Sequence, residues 1–189
     1  MNTDIPKPII ILVRTQLPQN IGSTARAMKN CGLSELRLVE PREKWPNDGA
    51  NSMAAGADDI LKNIKVFNNI PSALSDVIHV FSLTARNRDI TKIELGPDYA
   101  AKKIYENSTK SEKSAILFGP EQSGLTNDEI AYSNFLVKVP MVENFSSLNL
   151  SQAVLLMSWE WRKLFLKNYL SENEYKKISE PRLSHKTPL

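Results

Sequence analysis

The chain is short of the residues from which several common chemistries are built. Its 189 residues hold one cysteine, Cys31, and two histidines, His79 and His185. A disulfide framework, a four-cysteine zinc site and a CxxC redox pair are excluded, and two separated histidines with one cysteine do not make a metal site. A single cysteine also fits a reducing compartment. Long apolar runs are missing: Pro8–Val13 and Val154–Met157 are among the longest and fall far short of a membrane span. The start, MNTDIPKP, has neither the basic region nor the apolar stretch of a signal peptide. These absences lead us to expect a cytoplasmic protein without membrane contact. No GxGxxG occurs, so a dinucleotide fingerprint is absent, and no GxSxG elbow or Ser/His/Asp set supports a hydrolase.

What is present suits one domain with a sizeable core, since 41% of the residues are hydrophobic. Lys and Arg number 24 against 21 Asp and Glu, a net charge of +3 that points only weakly to nucleic acid. The surplus is local. Residues 162–189 carry seven basic against three acidic side chains, so residues 1–161 sum to −1.

Short runs rich in β-branched residues alternate with helical stretches. Ile9–Val13, Leu36–Val39, Val77–Leu83, Ala115–Phe118 and Phe135–Val139 read as strands, with Lys65–Phe67 a weaker one. Several are apolar nearly throughout, as parallel strands covered on both faces are. Asn20 can cap a helix ending at Asn30, before Gly32, and Ser52 can open a short helix through Ala57. Pro71 and Pro97 suit first helical turns, and Thr126–Glu129 has the spacing of a capping box. The alternation predicts an α/β fold with a mostly parallel sheet and helices on both faces. The longest helix is expected from about Leu148 to Tyr169. Leu150, Val154, Met157, Trp161 and Leu164 form one stripe, which Leu155, Leu156, Trp159, Phe165 and Leu166 widen past half the circumference. A deeply buried core helix and a dimer interface explain that width equally well. Residues 171–189 read as a basic tail or short helix behind a domain formed by 1–170.

Three turns follow predicted strands, where α/β sheets place ligands. The first, Leu17 to Arg26, sets Arg26 inside a helix, either reaching back over its start or lying solvated on the surface. The second, Leu117 to Leu125, has glycines at 119 and 124, but Leu125-Thr126 stands where a phosphate loop needs lysine. Glu121 there is either a functional carboxylate or a loop residue bonding nearby N–H groups. The third runs from Val139 to Ser151. Ser146 and Ser147 are natural caps for the long helix, whereas Asn149 suits a helix interior poorly and its amide can bond a ligand or a neighbouring loop. His79 sits in an apolar run as a satisfied core histidine. Arg86 and Arg88 follow another strand and either hold phosphate or lie in solvent.

Taken together, Asn20-x-Gly22-x-x-x-Arg26, Phe118-Gly119-x-Glu121-x-x-Gly124-Leu125 and Val139-Pro140-Met141 with Ser147-Leu148-Asn149-x-Ser151 resemble the SpoU/TrmH family of RNA ribose 2′-O-methyltransferases, within the SPOUT superfamily. The likeness covers roughly Pro8 to Leu166. Ile11–Thr15, Ala54–Ala57, Thr84–Arg86 and Phe145–Leu150 are most similar to the TrmJ-like branch. The resemblance implies a deep C-terminal trefoil knot, a homodimer, and S-adenosylmethionine bound by Leu83, Thr84, Ala85, Gly119, Gly124, Val139, Met141, Ser147, Leu148 and Asn149. It further implies that Arg26, Asn20, Glu121, Ser147 and Asn149 shape the catalytic site, that Arg26 and Arg86 meet RNA, and that no metal takes part. The implied substrate is tRNA, at a pyrimidine of the anticodon loop. The rivals are another RNA such as ribosomal RNA, a catalytically idle RNA-binding module, and a generic nucleotide-binding protein, against which both missing phosphate fingerprints count.

Overall fold

The structure is a computed structural model and describes residues 5–85, 91–143, 145, 147–170 and 174–175. Its sheet has seven strands: β1 (Ile9–Val13), β2 (Leu36–Val39), β3 (Lys65–Phe67), β4 (His79–Leu83), β5 (Ile93–Leu95), β6 (Ser114–Phe118) and β7 (Phe135–Val137). Their order is β3-β2-β1-β6-β4-β7-β5, and every pair is parallel. The α/β class expected from the sequence is the class observed. β1 and β6 are buried along their whole length, which is why they read as unbroken apolar runs.

Alternate strand residues feed two cores. Ile10, Leu12, Leu38, Phe81, Ile116 and Phe118 face a layer that includes α1 (Pro18–Asn30), α2 (Asp48–Ala54), α3 (Asp58–Lys62), α5 (Pro97–Thr109) and α7 (Leu150–Tyr169). Ile9, Ile11, Val13, Ala115 and Leu117 face the other side, where α4 (Ile70–Ala73) and α6 (Asn127–Ala131) pack. In α7 the buried stripe is Leu150, Val154, Met157 and Trp161, while Leu155 and Trp159 remain 43% and 51% exposed. The helix is thus a core helix on one side and an uncovered apolar face on the other.

Several helix starts differ from expectation. α1 begins at Pro18, whose fixed φ and missing N–H suit a first helical residue, so Asn20 lies within the first turn instead of capping it. α2 is capped by Asn47, whose side chain accepts from the Gly49 N–H, five residues ahead of Ser52. α7 is capped by Asn149, which accepts from both the N–H and the hydroxyl of Ser151, so neither Ser147 nor Leu148 belongs to the helix. The capping box at Thr126–Glu129 is present.

At the N-terminal ends of the strands, Arg37 is 2% exposed and fully bonded. Its guanidinium donates to Glu35, to both oxygens of Asp76 and to the Ala73 carbonyl, at 2.6–3.0 Å. Lys113 and Lys65 complete the network on Asp76 and Glu35. The Arg37 hydrogen bond holds the Asp76 carboxyl well below the usual carboxylate range; partial burial opposes this and Lys113 reinforces it. His79 is half-buried and pairs with Glu112 at 2.6 Å, so it is satisfied but stands at the edge of the core.

Candidate active site

The chain leaves β1 toward β2 on one side and leaves β6 toward β7 on the other. Adjacent strands with divergent exits open a crevice at their C-terminal ends, the usual ligand position in such sheets. A cavity of about 230 Å³ lies on the β6 side of this crevice, at the exits of β6, β4 and β7. Its walls come from Leu83, Thr84 and Ala85 after β4, Phe118 to Gly124 after β6, Val139 after β7, and Ser147, Leu148, Leu150 and Ala153 around the start of α7.

The β6 loop is shaped by its two glycines, for different reasons. A Cβ at Gly119 would lie 2.2 Å from the Leu125 nitrogen and 2.4 Å from the Gly124 carbonyl carbon. The loop therefore closes on itself at Gly119, and only a residue without a side chain lets the two backbones cross. Gly124 has open space around it but a φ of +66°, a conformation that favours glycine.

Glu121 ties this loop to the exit of β1. One carboxylate oxygen accepts from the Gln16 N–H at 2.9 Å, the other from the Leu17 N–H at 3.3 Å and from Asn20 Nδ2 at 2.7 Å. Asn20 Oδ1 in turn accepts from Asn149 Nδ2 at 3.2 Å. One chain of bonds thus joins the β6 loop, the first turn of α1 and the cap of α7. Of the two alternatives for Glu121, the structure shows the bonds to N–H groups, and these fix one wall of the cavity.

The structure brings together Leu83, Thr84, Ala85, Gly119, Glu121, Gly124, Val139, Ser147 and Leu148 as cavity walls, with Asn20 and Asn149 linked behind them. Met141 is exposed and is not one of the lining residues. Arg26 is exposed on α1 and makes no hydrogen bond or ion pair among the described residues. Arg86, Arg88 and Ser146 lie outside the described residues. Leu150 and Ala153 also line the cavity; in the sequence Leu150 reads only as part of the apolar stripe, and Ala153 only falls within the expected helix. Arg14 and Glu129 pair with each other, a contact that their places in Ile11–Thr15 and in the capping box do not announce.

Glu121 is the one charged residue among the described residues that line the cavity. With no lysine or arginine among those described residues, the described wall offers phosphate no cation. It suits a flat apolar group read by backbone N–H and C=O, attached to a group of positive charge.

A parallel α/β sheet with a ligand crevice built from glycine and asparagine turns defines the class, and the chain matches the SpoU rRNA Methylase family over residues 7–159. It belongs to that family. Its relatives include the tRNA (cytidine/uridine/adenosine-2′-O-)-methyltransferase TrmJ of Pseudomonas aeruginosa (strain UCBPP-PA14), 41% identical over 83% of this chain and 61% of that protein. The uncharacterized tRNA/rRNA methyltransferase LasT of Escherichia coli (strain K12) is 40% identical over 80% of this chain and 66% of its own length. Among solved structures, TrmJ from Z. mobilis ZM4 superposes with a TM-score of 0.80 at 47% identity, covering 83% of this chain and 69% of that one. The chain thus spans somewhat under two thirds of these curated relatives.

Proposed function

We propose that this protein is an S-adenosylmethionine-dependent ribose 2′-O-methyltransferase acting on tRNA, at a pyrimidine of the anticodon loop. The observation that carries the reading is the cavity at the exits of β4, β6 and β7, whose lining holds a carboxylate and, among the described residues, no cation. S-adenosylmethionine supplies a methyl group already activated by a positive sulfur. Backbone groups of the Gly119–Gly124 loop, with Leu83, Thr84, Ala85, Val139, Ser147 and Leu148, would hold it, and Met141 would close over it from outside the lining.

The role of Arg26 is to orient the ribose and adjacent phosphate through its N–H fork and to stabilise negative charge growing on the 2′-oxygen. Asn20, held by Glu121 and Asn149, fixes the first turn of the helix that carries Arg26. Arg86 belongs to the same reading as a contact to RNA phosphate. Residues 1–170 form the catalytic unit, with the C-terminal knot, and the protein works in the cytoplasm without a metal.

A homodimer completes the proposal. Leu155 and Trp159 stand one turn apart on the uncovered side of α7, and a second copy would bury them. Sedimentation should then report a two-chain mass, which Trp159→Glu reduces to one.

Tritiated-methyl transfer to bulk tRNA and ribosomal RNA, followed by mapping of the modified nucleotide, tests the activity. Label at a ribose 2′-oxygen of tRNA is expected. Label only in ribosomal RNA would replace the substrate, and binding of RNA without label would leave an idle module.

A further inference from the structure

Arg14 is the first residue beyond β1 and takes a left-handed backbone, with φ at 47°. Its N–H still donates to the Val39 carbonyl, so the strand ladder continues while the side chain is turned away from the strand direction. The guanidinium meets Glu129 with two nitrogens on two oxygens, at 2.5 and 3.2 Å. Glu129 is mostly buried, and its carboxylate also accepts from the Thr126 N–H in the capping box. It is the third residue of α6, the helix that follows the Gly119–Leu125 loop.

Two carboxylates therefore cross-brace the same pair of segments. Glu121 binds residues 16, 17 and 20 at the start of the loop, and Glu129 binds residue 14 just beyond its end. A loop held only at Glu121 could pivot about that point, whereas a second tie at Glu129, eight residues further along the chain, removes the pivot. A bidentate Arg–carboxylate pair suits this task because it fixes orientation as well as distance. A non-glycine residue at positive φ carries a backbone cost, which the surrounding contacts must offset.

We infer that Arg14 is a positioning residue that holds the donor-binding loop against the segment carrying Asn20 and Arg26. The inference rests on the proposed methyl-transfer reading and deepens it: the β1 exit sets the affinity for the methyl donor without touching it. Pre-organisation of this kind lowers the ordering cost of binding, so its loss should weaken the donor and leave RNA affinity unchanged.

The test compares Arg14→Gln, Arg14→Gly and Arg14→Lys in the full chain. In the protein without ligand, amide exchange over Gly119–Leu125 should quicken about tenfold in the Gln and Gly variants, matching opening easier by 1.4 kcal/mol. Calorimetry with S-adenosylmethionine should give about tenfold weaker binding in both, with Lys restoring part of it. Glycine is at ease at positive φ, so Arg14→Gly should melt close to the wild type; a merely structural arginine would not separate stability from donor affinity in this way. Unchanged loop exchange and donor affinity in Arg14→Gly would overturn the inference, as would a loss confined to RNA binding. A wild-type protein that binds no S-adenosylmethionine would instead overturn the proposed function.

Discussion

At the N-terminal ends of the strands, Arg37 is buried and every hydrogen-bond donor of its guanidinium is taken by Glu35, Asp76 or Ala73. At the C-terminal ends, Glu121 spends its carboxylate on backbone N–H groups and Asn20 that shape the wall of a cavity, and Arg14 pairs with Glu129 beyond it. Charges at one end of the sheet therefore lock the strands together, while those at the other end hold a loop around an open space. Arg26, on α1, is exposed and unbonded among the described residues and is available to a ligand.

The comparison breaks most visibly at Gly119. Gly119→Val sets new atoms into the Leu125 backbone, and the expected result is a loop that no longer closes, with donor binding lost beyond detection by calorimetry. Unchanged affinity would mean that the loop is not the donor site. Arg26→Ala comes next: methyl transfer should fall about a thousandfold, in the range seen when a group stabilising a developing oxyanion is removed, with donor affinity within a few-fold of wild type. Near-normal turnover would remove Arg26 from the proposed chemistry.

At the opposite end, Arg37→Met takes the buried guanidinium from Glu35, Asp76 and the Ala73 carbonyl, leaving each carboxylate with one lysine, and should cost about 3 kcal/mol in urea unfolding, with transfer per folded molecule unchanged. A parallel loss of donor binding would show that the two ends are not separable. The smallest effect concerns pH. Because Asp76 is held below its ordinary range in the fold, its contribution is fully present above the unfolded carboxylate value, near about 4, and fades as pH falls through that value toward the depressed folded one. Asp76→Asn should flatten the acid limb of melting temperature against pH; an unaltered limb would assign acid lability elsewhere. Asp76 is 41% exposed on its side chain, so salt should weaken the effect.

Central elements were legible because burial writes itself into composition. β1, β2 and β3 have the bounds expected of them, and the Thr126–Glu129 box is where its spacing put it. β5 was not read, since Ile93–Leu95 is a three-residue edge strand with Glu94 at its centre and an Ile93 that is 62% exposed. α3 was likewise missed, a single five-residue turn of helix without a side-chain cap. Cap assignments failed because caps are decided by where the chain turns: α1 starts at Pro18 behind Leu17, which gives no side-chain cap, and Asn149 takes the place expected of the serines. The site residues were assembled in sequence only by resemblance. Nothing local announces that Glu121 would meet residues 16, 17 and 20, more than a hundred positions away, or that Gly119 would be crossed by its own loop.

Gly22 lies one helical turn before Arg26, and a Cβ there would stand 2.0 Å from the carbonyl oxygen of Ala50. α1 is thus pressed against α2 backbone to backbone, and its axis is fixed before any ligand arrives. The Arg26 side chain, by contrast, retains its rotamers, and holding it in one of them costs on the order of 1.5–2 kcal/mol. In the proposed reading, recognition by Arg26 is therefore a choice among side-chain conformers on a helix whose axis is already set. The ordering cost would fall at the moment of contact, so a substrate that failed to engage Arg26 would leave as easily as it came.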